Sequence, residues 1–114
     1  REEVPRCPDC GRPVKPNVVF FGENVRGLDR IAALVEGCDL MLVIGTSAGV
    51  YPANLLPIQV AEQGGRVVEF NREESLLTRG QVGGIPGFPG PASDLLVRGR
   101  AAVTVDAFAR ALLP

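Results

Sequence analysis

The amino-acid sequence predicts an α/β fold, in which helices alternate with the strands of a parallel sheet. The segment at 39–44, which is continuously apolar after Asp39, is typical of a parallel strand that is buried on both faces. A second strand-like run follows at 66–70, and a segment with helical character lies between the two runs. Alternation of this kind implies right-handed crossovers between parallel strands.

Two more elements are predicted before the first of these runs, and the helix between the two runs can be bounded. The run at 18–21 is β-branched and aromatic, which predicts a strand or an extended segment. Apolar side chains then recur at helical spacing over 28–35, and Gly37 is a suitable helix stop. A second helix is predicted at 53–63, where Pro57 is tolerated only in the first turn.

The second half of the chain completes the alternation. The strand at 66–70 ends at Asn71, and the Gly- and Pro-rich stretch at 79–91 predicts a long surface loop. A short strand is expected at 94–97, and apolar residues at helical spacing over 105–112 predict a last helix. The predicted order is strand, helix, strand, helix, strand, long loop, strand, helix.

Composition excludes several classes of protein. The chain has 114 residues, 46% hydrophobic and 22% charged, as in one ordinary folded domain. Its net charge of −1 gives no attraction to nucleic acid or to an anionic membrane, and no apolar run is long enough to span one. Three cysteines do not make a secreted disulfide framework, so we expect an intracellular location. The cytoplasm is the first expectation, with the nucleus and the mitochondrion as alternatives.

The chain contains no histidine. Histidine is the side chain that most often acts as a general base near neutral pH. We therefore predict no catalytic residue in this chain, and any chemistry of that kind must take its base from elsewhere.

Cys7 and Cys10 form a CxxC knuckle followed by Gly11. Such a turn lets two thiolates converge on one metal ion, and structural zinc takes four ligands. A redox dithiol is the alternative, although redox CxxC motifs follow a strand in a βαβ pattern, which is not the context here. Cys38 precedes an apolar run and is expected to be a small core residue. The sequence thus favours half of a zinc site.

Two polar clusters follow the predicted strands, Gly45-Thr46-Ser47 and Asn71-Arg72-Glu73. Ligands of open parallel sheets bind at the carboxyl ends of the strands, which is where these clusters lie. Glycine and small hydroxyl residues let the backbone approach a phosphate or ribose closely. Each cluster alone could equally be a turn, but two in register favour a nucleotide site.

Three blocks of sequence resemble the sirtuin family of NAD-dependent protein-lysine deacylases. The first runs from Cys-Pro-Asp-Cys-Gly at 7–11 to Lys-Pro-Asn-Val-Val-Phe-Phe-Gly-Glu-Asn at 15–24. The others are Leu-Val-Ile-Gly-Thr-Ser at 42–47 with Val-Tyr-Pro at 50–52, and Glu-Phe-Asn at 69–71. Their order and spacing match the family, and the resemblance covers residues 4–113.

The resemblance implies the C-terminal part of a Rossmann-like parallel sheet joined to half of a zinc-ribbon knuckle. Residues 1–17 would be the second half of the zinc module, and 18–114 a partial domain that binds NAD and acyl-lysine. The implied reaction consumes NAD and gives deacylated lysine, nicotinamide and O-acyl-ADP-ribose. The acyl preference stays open, because the residues that choose it lie upstream in the family.

Site residues follow from the same resemblance, position by position. The implied zinc ligands are Cys7 and Cys10. The positions that match cofactor contacts are Gly45, Thr46, Ser47, Asn71, Arg72, Glu73 and Ala101. The positions that match the acyl-lysine substrate cleft are Val19, Phe21, Gly22, Glu23, Asn24, Val50 and Tyr51. Without the resemblance, Val19 and Phe21 would be interpreted as core residues and Glu23 as a surface carboxylate.

The chain also departs from the family pattern. The Gly-Ala-Gly loop, the first CxxC and the catalytic histidine lie upstream in the family, so we expect this chain to require an upstream sirtuin half. The substrate of the two halves together would be an acyl-lysine protein or peptide. Two alternatives are a module that binds peptide or nucleotide without catalysis and a truncated fragment with no activity of its own.

Overall fold

A computed structural model of the chain describes residues 3–82 and 91–113. Its elements, in chain order, are α1 (Leu28–Val35), β1 (Leu40–Ile44), α2 (Leu55–Glu62), β2 (Arg66–Asn71), β3 (Leu95–Arg98) and α3 (Ala101–Leu112). The three predicted helices and the last three predicted strands are therefore confirmed. The loop predicted at 79–91 lies largely outside the described residues.

The three strands form one parallel sheet in the order β1-β2-β3. Leu42 of β1 is in register with Val68 of β2, which in turn is in register with Leu95 of β3. Because α2 connects β1 to β2 and the strands stay parallel, the predicted α/β fold is confirmed. None of the helices in the described parts of the chain is long and apolar enough to cross a membrane.

Helices cover both faces of the sheet. On one face, Val43 of β1 and Val67 of β2 join a buried apolar cluster with Val35 of α1 and Ile58 of α2. On the other face, α3 packs against β2, where the ring of Phe108 meets Phe70 edge to face with centroids 5.3 Å apart. Side chains alternate between the faces along each strand, which is why neighbouring residues of β2 serve different helices.

The prediction that the first of these strands is buried on both faces is wrong for this chain. Val43 is buried, but Leu40, Leu42 and Ile44 on the opposite face are 46%, 38% and 47% exposed. The reason is that β1 is an outer strand of the sheet, and α3 packs against the neighbouring strand β2 and not against β1. A contiguous apolar strip of β1 thus remains uncovered by the described residues.

Residues 18–21 do not form the predicted strand. Their backbone is irregular, and Val18 and Phe20 are about half exposed while Phe21 is 93% exposed. Composition favours a strand here, but a strand needs a partner, and none of the described residues pairs with this segment.

The N-terminal region projects from the sheet. Residues 3–30 include no buried residue, and the first residue of the core is Val35. The radius of gyration is accordingly 17.7 Å, against about 13 Å for a compact domain of this length. The predicted division of the chain at residue 17 stays a prediction.

Candidate nucleotide and peptide site

The carboxyl ends of all three parallel strands lie together at one end of the sheet, which we call the strand-end edge. The N–H of Gly45, after β1, donates to the carbonyl of Phe70 at 2.9 Å. The N–H of Gly99, after β3, donates to the carbonyl of Asn71 at 3.0 Å. Helix α3 then begins at Ala101, so the predicted cofactor positions on three separate segments lie along the same edge.

The turn after β1 has a tightly determined backbone. Gly45 adopts a φ of 63°, and a Cβ added there would meet no atom within 4 Å. The hydroxyl of Thr46 accepts from the N–H of Ala48 at 3.1 Å, and the carbonyl of Ser47 accepts from the N–H of Leu76 at 3.1 Å. Open space beside Gly45 and a turn fixed from two sides make a surface to which another molecule can approach closely.

Asn71 connects this turn to β2. Its side-chain Nδ2 donates to the carbonyl of Thr46 at 2.7 Å and to Oε1 of Glu69 at 3.1 Å. Its Oδ1 accepts from the N–H of Arg72 at 2.9 Å. The orientation of the amide is fixed by these partners, because a flipped amide would set its oxygen against two acceptors. The structure thus joins Thr46 to Asn71, two positions predicted for the cofactor.

The remaining predicted cofactor positions border this pair. Arg72 and Glu73 are exposed, and no side-chain hydrogen bond or ion pair holds either of them within the described residues. Ala101 is half-buried at the first position of α3, where Arg100 provides no side-chain cap. The first backbone N–H groups of a helix without a cap are available to other acceptors.

The predicted peptide-cleft segment is ordered by one lysine. Lys15 Nζ donates to the carbonyl of Val18 at 2.9 Å and to the Glu23 carboxylate at 2.7 Å, and it lies 4.7 Å from the centroid of the Phe20 ring. The Lys15 ammonium, and secondly the N–H of Phe20, hold the pKa of the Glu23 carboxyl below its usual range. Within the described residues no hydrogen bond occupies the backbone N–H or carbonyl of Val19.

The other side of the predicted cleft lies in the turn before α2. Val50 is 54% exposed and Tyr51 is 75% exposed. No hydrogen bond between described residues connects them to Gly22, Glu23 or Asn24. The structure therefore leaves both sides of the cleft exposed without joining them.

Cys7 and Cys10 share one turn. The N–H of Gly11 donates to the carbonyl of Cys7 at 2.9 Å, and a bridge between Arg6 and Pro13 closes the hairpin around them. The pKa of the Cys10 thiol is lowered, first by the backbone N–H of Arg12 and then by the Arg12 side chain and the Cys7 thiol.

The described part of the chain contains no group of three or more His, Cys, Asp or Glu residues arranged to hold a metal. Cys38 has different surroundings from the other two cysteines. Its thiol contacts the carbonyl of Leu40 at 3.3 Å, and the residue packs against the core cluster. Cys7 and Cys10 thus share one turn of the described chain, and the half zinc site expected from the sequence stays a prediction.

Comparison with known proteins agrees with this geometry. A family model described as the Sir2 family matches residues 1–52. The NAD-dependent protein deacylase of Pyrococcus abyssi is 44% identical over 103 residues, which cover 89% of this chain and 36% of that protein. The crystal structure of a Sir2 homologue–NAD complex has a TM-score of 0.78 at 37% identity and matches 96% of this chain. The chain belongs to the Sir2 family.

Other relatives agree on how much of a Sir2-family protein is present. NAD-dependent protein deacylase 1 of Archaeoglobus fulgidus is 38% identical over 109 residues, 94% of this chain and 40% of that protein. A structure of Sir2 with p53 peptide and NAD+ has a TM-score of 0.65 at 32% identity and covers 96% of this chain but 40% of its own. The chain therefore spans between about a third and two fifths of the length of these relatives.

Two residues of this Sir2-family chain that sequence reasoning missed complete the edge. Glu69 is fully buried in β2, and its second oxygen accepts a short hydrogen bond from the hydroxyl of Thr78. In the sequence, Glu69 stands out only as part of the block at 69–71 that resembles the family. A carboxylate inside an otherwise apolar strand is the signal that could have identified it, because buried acidic residues need partners.

Proposed function

We propose that this chain forms part of an NAD-dependent protein-lysine deacylase. It would supply part of the cofactor wall and one part of the acyl-lysine cleft. The observation that carries the proposal is the hydrogen bond from the Asn71 amide to the Thr46 carbonyl, which unites two strand ends at the edge where parallel sheets bind ligands. The printed names of the relatives, NAD-dependent protein deacylases, support the same activity.

NAD fits the strand-end edge by its chemistry. The space beside Gly45 would admit a ribose or phosphate against the backbone, with the Thr46 and Ser47 hydroxyls beside it. Asn71, Arg72 and Glu73 would face the adenosine ribose, and the backbone of Ala101 the adenine. Bound NAD supplies the electrophilic ribose carbon of the reaction, while these residues orient it.

An acyl-lysine peptide fits the exposed segments. The open carbonyl of Val19 would accept a hydrogen bond from the acyl-lysine amide N–H. Gly22, Glu23 and Asn24 would lie on one side of an added peptide strand, with Val50 and Tyr51 on its other side. Phe21, which is 93% exposed, would line the path of the lysine stem. Structures of Sir2 with p53 peptide and with a propionylated peptide support this substrate class.

The zinc proposal is for half a site. Cys7 and Cys10 fit as two of the four ligands that structural zinc requires, and residues outside this chain would supply the other two. Residues 1–17 would thus belong to a zinc module and 18–114 to the Rossmann-like domain. Ligand thiols must remain reduced, which favours an intracellular, cytoplasmic location.

The rest of the machinery would come from another segment or chain. No histidine is present to act as the base, and the apolar strip of Leu40, Leu42 and Ile44 needs cover. An upstream sirtuin half would provide both. The lack of histidine also favours a second candidate, a module that binds nucleotide or peptide without turnover.

A titration followed by amide NMR tests the proposal. Adding NAD to the labelled 114-residue chain is expected to shift the resonances of Gly45, Thr46 and Asn71, and adding an acetyl-lysine peptide those of Val19 and Tyr51. Arg110, at the far end of α3, is the internal control and is expected to stay unchanged. Shifts absent at all of the first group, with NAD in the millimolar range, would contradict the proposed cofactor site.

A further inference from the structure

The carboxylate of Glu69 lies inside the sheet without an ionic partner among the described residues. It is 0% exposed, and each of its oxygens accepts one hydrogen bond, from Asn71 Nδ2 at 3.1 Å and from the Thr78 hydroxyl. A buried carboxylate is costly unless it is fully hydrogen-bonded. Both oxygens of Glu69 have hydrogen-bond partners, and one of these partners is Asn71, the residue predicted to contact the ribose. This arrangement indicates a role for Glu69 in orienting Asn71.

Glu69 and Thr46 together use both hydrogens of the Asn71 amide. Nδ2 carries only two N–H groups, and these donate to the Thr46 carbonyl and to Glu69 Oε1. Oδ1 takes one bond from the Arg72 N–H and keeps one lone pair that no residue of 3–82 or 91–113 uses. The side chain of Asn71 can therefore accept a hydrogen bond from a ligand but cannot donate one.

We propose that Glu69 is a positioning residue, held by Thr78, that orients the Asn71 amide so that Oδ1 accepts a hydrogen bond from a ligand hydroxyl. This inference rests on the proposed nucleotide function for its ligand, but the orientation of Asn71 does not depend on any ligand. It also defines the ligand chemistry at this point, because a ribose hydroxyl can donate to Oδ1 whereas a phosphate oxygen would meet an acceptor.

Two conservative variants distinguish the length of the Glu69 side chain from its charge. Glu69→Gln keeps the length of the side chain, so its oxygen can accept from Asn71 while its amide donates to the Thr78 hydroxyl, which can also act as an acceptor. Glu69→Asp keeps the charge but withdraws the oxygens by one methylene. A positioning role requires that Gln preserves the function of the site and that Asp does not.

The first measurement needs no ligand. Hydrogen exchange of the Asn71 side-chain amide is expected to be slow in the parent chain and in Glu69→Gln, and faster by about tenfold in Glu69→Asp, which corresponds to about 1.4 kcal/mol. Backbone amides of β2 that remain protected show that each variant is folded. If Glu69→Asp does not fold, Thr78→Val is measured instead, because it frees one oxygen of Glu69. Unchanged exchange in the folded variant would overturn the positioning role.

The second measurement uses ADP-ribose as the probe. Its affinity is expected to fall about tenfold in Glu69→Asp, the equivalent of one hydrogen bond, and to change less than threefold in Glu69→Gln. Equal losses in both variants would show that keeping the length of the side chain does not preserve binding, and would overturn the proposal. If the parent chain binds no ADP-ribose, the proposed nucleotide function fails for this chain, and the exchange experiment alone decides the role of Glu69.

The direction of the ligand bond is tested with ADP and 2′,3′-dideoxy-ADP. Asn71→Ala is expected to weaken the binding of ADP about tenfold more than that of the dideoxy compound, since only ADP has a ribose hydroxyl to donate. An equal loss for both compounds would contradict the hydroxyl-to-Oδ1 bond.

Discussion

The side chain of Asn71 donates to the backbone carbonyl of Thr46 at 2.7 Å, although the two residues are 25 positions apart. This bond fastens the turn after β1 to the end of β2. The bond joins the polar cluster at 45–47 to the cluster at 71–73, and the first prediction below depends on it directly.

Replacing Asn71 with alanine is expected to weaken both the fold and the site. The variant leaves the Thr46 carbonyl and a Glu69 oxygen without their partner, which costs about 1–3 kcal/mol. Urea denaturation monitored by circular dichroism measures the loss, and Asn17→Ala at an exposed position is the matched control. Equal stability of the two variants would contradict the structural role of the bond.

Ala48 is expected to tolerate glycine but not valine. It is buried with a φ of 58°, a left-handed conformation that β-branched residues avoid. Ala48→Val should lower the free energy of unfolding by about 2 kcal/mol or more through strain and overpacking. Ala48→Gly should change it by less than about 1 kcal/mol, because relief of strain is offset by the flexibility of the unfolded chain. A harmless Ala48→Val, measured by urea denaturation, would show that the turn adopts another conformation.

The salt-bridged Asp94 is expected to make stability depend on acid pH. The N–H of Val67, and secondly Arg66, lower the pKa of its carboxyl in the folded state. The stabilisation that ionised Asp94 contributes is therefore fully present above the pKa of the carboxyl in the unfolded chain, about 3.9. It is lost as the pH falls through the lower pKa of the folded state. Asp94→Asn should be less stable than the parent at pH 7 by at most about 1 kcal/mol, because the pair is partly exposed.

Urea midpoints at pH 7 and pH 3 give that comparison, and the difference between parent and Asp94→Asn should shrink at the lower pH. Asp106→Asn serves as the control, since Asp106 pairs with Arg110 on the exposed surface of α3. A difference that grows on acidification would have the wrong sign for a lowered pKa.

Zinc is expected to bind between two copies of the chain. Each copy offers Cys7 and Cys10, so four thiolates require two chains when no other ligand source is present. Mass spectrometry under native conditions should therefore find one zinc ion in a dimer. The signal should disappear in Cys7→Ser and persist in Cys38→Ser, whose thiol packs against the core. One tightly bound ion per monomer would contradict the half-site.

The sequence predicted the elements with strong local signals and failed where a distant partner decides the outcome. Apolar runs and glycine stops locate β1 and α1, because both signals act within a few residues. Residues 18–21 have the composition of a strand, but composition cannot say whether a partner strand is within reach. Ile44 is exposed for a similar reason, since burial of an edge strand depends on what packs against it.

The candidate site was predicted in part for the same reasons. Parallel topology alone brings Thr46 and Asn71 to one edge, so strand order was enough to expect their proximity. The network behind Asn71 was not predictable in this way. It needs Thr78, which follows β2 in an irregular segment, to approach the buried side of that strand, and no local pattern encodes such an approach.

The most direct test of the central claim is a reconstitution assay. The 114-residue chain is mixed with the part of the Pyrococcus abyssi deacylase that lies outside its matched region, and an acetyl-lysine peptide and NAD are added. The chain alone is expected to form no nicotinamide, whereas the mixture is expected to form it, and Asn71→Ala is expected to lower the yield. Nicotinamide release by the chain alone, or equal release with Asn71→Ala in the mixture, would contradict it.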